Sequence, residues 1–210
     1  MKYLIFNEEE LSPEIKKSAT EEIKNVCNQC HNCDLGKTRN KIVFSDGNAN
    51  APVMLIGEAP GADEDASGLP FVGRAGRFLN DLLKECGISR ENDLYICNTV
   101  KCRPPENRVP TDEEKEICSQ YLAAQINIVR PKAIILCGAT AAKSFLGKEF
   151  KISQQRGKWE TILGGIKAMV IFHPSYLLRN HSLEENSPRW LTKKDLKEIK
   201  EVIIDKAGKK

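Results

Sequence analysis

Three stretches of this chain combine residue types that could do chemistry. The first is CNQCHNC at 27–33, which sets Cys27, Cys30 and Cys33 at three-residue intervals. With Cys102, at the end of an apolar run, and Cys118, in the helical pattern after it, Cys30 and Cys33 make a four-thiolate set. All-cysteine sets hold zinc or an iron–sulfur cluster, and spacing does not choose between them. Cys27 and Cys30 form an equally good local pair. Cys86, Cys97 and Cys137 fall at core-facing positions and read as small buried hydrophobes.

The second stretch is VMLIGEAPGADEDASGLPFVGRAG, residues 53–76. A strand that empties into a glycine-rich turn usually receives phosphate, because backbone N–H groups and a helix N-terminus attract anions. Here the turn carries Glu58, Asp63, Glu64 and Asp65 instead, with Phe71 close behind. The third is FHPSYLLR at 172–179, where His173 precedes a rigid proline turn. Histidine is the side chain most used for proton transfer, although a buried structural histidine would fit the same turn. His31 and His181 lie in polar contexts and are assigned no chemistry.

These segments need a frame to bring them together. The chain has 210 residues, 40% apolar and 29% charged, with a net charge of +3. Those totals fit one globular domain with a sizeable core. The mild charge permits a polyanionic partner without arguing for one. The N-terminus is acidic within ten residues, with no signal-peptide apolar region, and no apolar run approaches a membrane span. A soluble, cytoplasmic protein is expected.

A polar helix is expected in the first 25 residues. PVMLIG, DLYICNTV and PKAIILCG read as strands, the first as one buried on both faces. WETILGGIKAMVIFHP reads as two strands joined at Gly-Gly. AGRFLNDLLKECGI reads as a helix closed by Gly87, and TDEE opens another through a capping box of Thr111 and Glu114. ATAAKSFLG gives a short helix, and Pro188 to Ala207 an amphipathic one with a basic surface. Strands alternating with helices predict a single three-layer α/β/α domain around a short, mainly parallel sheet. It spans residues 1–210, with an N-terminal helix and cysteine segment over about 1–40. Ligands of such sheets sit at the strands' carboxyl ends, where GEAPG, NTVKC, CGAT and FHPSY all fall.

Taken in order, GEAPGADED at 57–65, PFVGRAG at 70–76, NTVKCRPPENR at 98–108 and FHPSYLLR resemble the family 4 uracil-DNA glycosylases. These are the iron–sulfur members of the uracil-DNA glycosylase superfamily. The likeness runs from Cys30 to Arg179 and includes DLGKTR after the CXXC and RGKW at 156–159. It implies a [4Fe–4S] cluster of structural role, held by Cys30, Cys33, Cys102 and Cys118. The family's first pair is followed by Leu and Thr-Arg, here Leu35 and Thr38-Arg39, which leaves Cys27 as an extra.

The resemblance also implies site roles. Phe71 matches the residue that stacks on an extruded uracil, where a core phenylalanine is the plainer reading. Asn98 matches the uracil-reading asparagine, whose amide can serve O4 and N3–H together; without the other motifs it would read as a turn cap. His173 matches the histidine that donates to uracil O2 as charge develops there. The turn Gly57-Glu58-Ala59 would approach the base, although many homologues have glycine at the position of Ala59. Glu64 falls at the acidic position near the attacking water, while Asp63 and Asp65 read as solvated loop charges. Arg74, Lys101, Arg103, Arg108 and Arg179 are candidate DNA contacts, and Leu177 or Leu178 a candidate wedge into the duplex.

The implied partner is uracil-containing DNA, single- or double-stranded, for a monomer in a prokaryotic cytoplasm beside the nucleoid. Replication-clamp or repair partners stay undetermined. Two other readings remain. Family 5 enzymes accept more damaged bases but carry a more apolar first motif, so Glu58 and Glu64 favour family 4. A metal-stabilised DNA-binding module without catalysis, such as one tethered to a polymerase, would bind DNA irrespective of uracil.

Overall fold

The computed structural model describes residues 11–207. The expected N-terminal helix is present as α1, Pro13–Asn28, capped by the Ser12 side chain; the part of that expectation before residue 11 lies outside the described residues. A short turn of helix, α2 (Leu35–Thr38), follows the cysteine segment.

The sheet is mixed α/β in the expected way. Its strands are β1 (Asp46–Gly47), β2 (Val53–Gly57), β3 (Leu94–Asn98), β4 (Ala133–Cys137), β5 (Trp159–Ile162) and β6 (Ile166–Ile171). They lie in the order β1-β3-β2-β4-β6-β5. The four central strands run parallel, and the short edge strands β1 and β5 are antiparallel to their neighbours. Every residue of β2, β3 and β4 is buried. Their unbroken apolar runs are what coverage on both faces requires.

Alternation along the strands sorts the core into two layers. Val53 and Leu55 face α4 (Arg74–Glu85) and α9 (Pro188–Ile199), where Leu79, Leu82, Leu83, Leu196 and Ile199 meet them. Met54 and Ile56 face α5 (Asp112–Val129) and α6 (Ala139–Leu146), packing with Leu122, Ile126, Val129 and Ala142. A third, smaller cluster beyond the end of β3 joins Cys27, Leu35 and Phe44 to Val100, Cys102, Cys118 and Tyr121.

The local signals act as their chemistry demands. Thr111 and Glu114 form the reciprocal capping box of α5, and Gly87 takes the left-handed conformation after α4. The tail is helical to Ala207, widening to a π-type stretch over Lys200–Ile204 that keeps Ile203 and Ile204 buried.

One segment differs from the loop expected of it. ADEDAS forms a helix, α3 (Ala62–Ser67). Its first turn carries Asp63, Glu64 and Asp65, where the positive end of the helix dipole favours acidic side chains. Part of the acidic surplus in this loop is therefore helix-start chemistry. No helix among the described residues is long and apolar enough to cross a membrane.

Candidate active site and cysteine recess

The carboxyl ends of β2, β3, β4 and β6 do converge. Glu58 and Ala59, Asn98, Gly138 to Thr140, and His173 line one recess of about 490 Å³, together with Phe71 and Glu64.

Phe71 forms one wall. It is 6% exposed and takes a positive φ of 54°, a strained conformation for a bulky aromatic residue. Two glycines make this possible. The backbone of Phe71 occupies the space that a Cβ at Gly76 would need. A Cβ at Gly57 would lie 2.5 Å from Phe71 Cζ and would also meet Asn98 Oδ1. Arg90 holds the approach, donating to the Pro70 carbonyl at 2.6 Å while bonding Asn80 Oδ1 and Asp46. Sequence reasoning missed Arg90, which sits in an unremarkable loop before β3 with no motif around it. Ala59 does not take a positive φ, so its methyl sits without backbone strain. Glu58 holds the turn through its carbonyl, which accepts from Thr99 Oγ1 at 2.5 Å.

His173 faces the Phe71 ring, with centroids 6.4 Å apart. The Ser175 backbone N–H donates to His173 Nδ1 at 3.2 Å, and Ser175 Oγ lies 2.7 Å from the same nitrogen. A backbone amide can only donate, so Nδ1 must accept and the ring proton sits on Nε2. Burial, helped by the Arg179 charge and opposed by Glu64, lowers the His173 pKa to about 4. The imidazole is therefore neutral near pH 7. The RGKW segment, which follows the short helix α7 (Ile152–Gln155), supports its strand from behind: Arg156 lies over the Phe172 ring at 5.6 Å and pairs with the buried Asp195 of α9.

Glu64 is half-buried and anchored. One carboxylate oxygen accepts from the Val72 and Gly73 N–H groups at 2.9 and 2.8 Å, the other from Gly61 N–H at 3.1 Å. It thus ties the start of α3 to the start of α4. Asp63 is exposed, as a solvated loop charge would be. Asp65 is not: it is buried and accepts from Asn40 N–H at 2.9 Å and Asn40 Nδ2 at 2.6 Å, closing α3 onto the segment after α2.

The candidate DNA contacts divide. Arg74 and Arg179 are exposed. Arg103 bonds Asn107 Oδ1, and Arg108, at the mouth of the recess, makes a forked pair with Glu114. Lys101 does not reach DNA: it is 1% exposed, and its ammonium donates to the Asn98 carbonyl and to Gln125 Oε1. Leu177 is also removed from the candidates, because it sits in the core against α4, while Leu178 is half-buried. The exposed apolar side chains of this segment are Tyr176 and Leu183. The alternation of the short helix α8 (Pro174–Leu177) decides which residue turns inward, and no motif reveals that.

Next to Asn98, five thiols line a second recess. Cys27, Cys30, Cys33, Cys102 and Cys118 surround it, with Leu35, Ile42 and Val100 as apolar wall. Arg39 donates to Cys102 Sγ at 3.6 Å, and the Lys101 backbone N–H to Cys118. Burial pushes Cys102 up to about 11 and Cys27 and Cys118 up to about 12. Among the described residues no three such side chains are grouped as a single metal ion would require.

The family model described as the uracil DNA glycosylase superfamily matches residues 44–199. The chain is 45% identical over 191 residues to a type-4 uracil-DNA glycosylase of Thermotoga maritima, covering 90% of this chain and 95% of that one. A type-4 enzyme of Archaeoglobus fulgidus is 44% identical over 163 residues, 74% of this chain and 81% of its own length. A type-5 enzyme of Pyrobaculum aerophilum is 33% identical over 147 residues, 62% of this chain and 64% of that one. The chain belongs to the uracil-DNA glycosylase superfamily, and within it to the type-4 family.

Proposed function

We propose that this protein is a DNA-repair uracil-DNA glycosylase, which hydrolyses the N-glycosidic bond of an extruded uracil and leaves an abasic site. The observation that carries the reading is the tautomer of His173: a neutral imidazole whose one N–H, on Nε2, is free of the Ser175 contacts that occupy Nδ1.

Extrusion costs a few kcal/mol of lost stacking and pairing, so the recess must hold the base. The Phe71 ring gives it a flat face. The Asn98 amide offers a donor for O4 and an acceptor for N3–H, a pattern that cytosine does not match. As the bond breaks, negative charge grows on the uracil and positive charge on the sugar. The His173 Nε2–H stabilises the first where it collects, on O2.

Glu64 faces the second. Three backbone donors fix its carboxylate in place, so we assign it a stationary charge that stabilises the sugar cation and orients the attacking water. The exposed Arg74 and Arg179 would meet DNA phosphates, with Arg103 and Arg108 beside the recess mouth.

For the second recess we assign a [4Fe–4S] cluster bound by Cys30, Cys33, Cys102 and Cys118. A soft thiolate set, too spread for one ion and lined with apolar groups, suits a cluster better than zinc. When bound, the cluster supplies a cross-link between the N-terminal segment and the 102–118 region. A brown protein absorbing broadly near about 400 nm supports it, and a colourless zinc protein from an anaerobic preparation refutes it.

The function is tested with oligonucleotides carrying uracil, hypoxanthine or normal bases, followed by alkaline cleavage of abasic sites. Strand breaks at uracil alone are the expected result. No product from the uracil strand overturns the proposal, and equal conversion of hypoxanthine moves the chain toward type-5 behaviour.

A further inference from the structure

Between the two recesses lies a buried cation that neither the base-binding geometry nor the thiols alone explain. The Lys101 ammonium donates to two buried oxygen acceptors. Asn98 O lies at 2.7 Å and Gln125 Oε1 at 2.6 Å, and the buried Cys97 thiol lies within reach of the charge. Gln125 is fully used in turn, donating to Phe44 O at 3.0 Å and Tyr95 Oη at 3.1 Å. The Phe44 ring adds a face 5.9 Å from the ammonium. The main chain of the same residue is tied as well, its carbonyl accepting from Val43 N–H at 2.8 Å and its N–H donating to Cys118.

No carboxylate pairs with this ammonium among the described residues. A charge taken out of water is expensive unless an opposite charge offsets it. Lys101 itself lines the cysteine recess, beside Cys27, Cys102 and Cys118. Thiolates there would supply the missing countercharge, and a cluster bound by four of them carries net negative charge.

We propose that Lys101 is a positioning residue that clamps the end of β3, and so the base-reading Asn98, to the cysteine recess, where its ammonium serves as countercharge to the thiolate-bound cluster. The proposal rests on the cluster assignment made above. Lys101 touches neither base nor phosphate. It sets where the Asn98 main chain ends its strand, and the cluster's charge holds it there. Occupancy of the thiol recess and alignment of Asn98 are in this way one linked equilibrium.

The test compares Lys101→Met, which keeps length and removes charge, with the wild type, both purified anaerobically. Iron per chain is measured first, then the rate at which a chelator removes it. Kinetic constants are measured on a uracil strand, with the uracil-to-cytosine ratio beside them. Loss of a supporting partner typically weakens metal retention by about 10–100-fold, so iron should leave the variant at least about tenfold faster. Misplacing Asn98 should lower kcat about tenfold or more, while KM for DNA and its salt dependence stay within about twofold because no phosphate contact is lost. A raised KM with a shallower salt slope and unchanged kcat would instead make Lys101 a DNA contact and overturn the proposal. If Lys101→Met does not fold, Gln125→Met removes one arm of the clamp and should show the same pattern more weakly; wild-type values in that variant overturn the proposal. Iron absent from the wild type itself refutes the cluster reading and the countercharge with it. Iron present in the wild type and held equally by the variant refutes the role of Lys101 alone.

Discussion

Gly57 and Phe71 share one space: the position a Cβ would occupy on the last residue of β2 lies 2.5 Å from the Cζ of the Phe71 ring. β2 must end in glycine because the aromatic wall and the Asn98 amide both close over its Cα. Gly57→Ala should push the ring and the amide apart. Overpacking of this kind costs about 1–3 kcal/mol, which the extensive core should tolerate. A displacement of about 1 Å at the base site can cost about 100-fold in rate. Gly57→Ala is therefore expected to melt cooperatively a few degrees below the wild type while losing most of kcat on uracil. A variant with wild-type kcat would show that the two side chains do not hold the base.

The titration of His173 gives a second expectation. Its pKa is lowered to about 4 by burial and the Arg179 charge, and activity needs the neutral ring. Single-turnover rates should rise with pH through about 4 and stay level through neutrality, unlike a histidine of ordinary pKa near 6.5. Arg179→Gln removes one of the two causes and should move the midpoint upward. Stability follows the same proton. The unfolded chain binds it as pH falls below the ordinary value and the native chain resists until about 4, so stability should decline from about pH 6.5 to about pH 4. Calorimetric melts across that range check the sign.

How much of this could be read from the chain depended on the kind of signal. Strands β2, β3 and β4 were legible because burial on both faces demands unbroken apolar runs. The capping box at Thr111 and the stop at Gly87 were legible because both act within a few residues. The convergence of Glu58, Asn98 and His173 on one recess followed from the rule that parallel strands present their carboxyl ends together. Burial of particular polar side chains was not legible. Lys101 and Asp65 look like surface charges in sequence, and only long-range partners, Gln125 for one and Asn40 for the other, take them inside. The strain at Phe71 was equally hidden, since it depends on Gly76 and on Arg90, whose contacts cross the fold.

Asn98 offers a test of base selection. Its amide presents one donor and one acceptor to the recess, whereas a carboxylate presents acceptors alone. Asn98→Asp should lose the bond to uracil O4 and keep an acceptor toward the exocyclic amine of cytosine. The expected result is a uracil rate lower by about 100-fold, near the loss of about 3 kcal/mol for an unpaired buried group, and a smaller uracil-to-cytosine ratio. An unchanged ratio would take base reading away from Asn98.

The segment SYLLR sets two neighbouring side chains to opposite tasks, and paired substitutions should separate them. Leu177 is 1% exposed and packs in the core beneath the active-site strands. Leu177→Ala should therefore cost about 2–5 kcal/mol of stability and lower activity on single- and double-stranded uracil substrates alike, because it loosens the turn that carries His173. Tyr176 is 39% exposed and leans on Phe172 with ring centroids 5.1 Å apart. Tyr176→Ala should leave the melting temperature nearly unchanged. If this ring fills the stack that the extruded base vacates, the loss appears in duplex substrates alone, since a single strand has no stack to open. Comparing kcat/KM for the two substrate forms across both variants decides the matter. A Tyr176→Ala variant equally impaired on single strands would assign the ring to holding His173 through Phe172 rather than to the duplex.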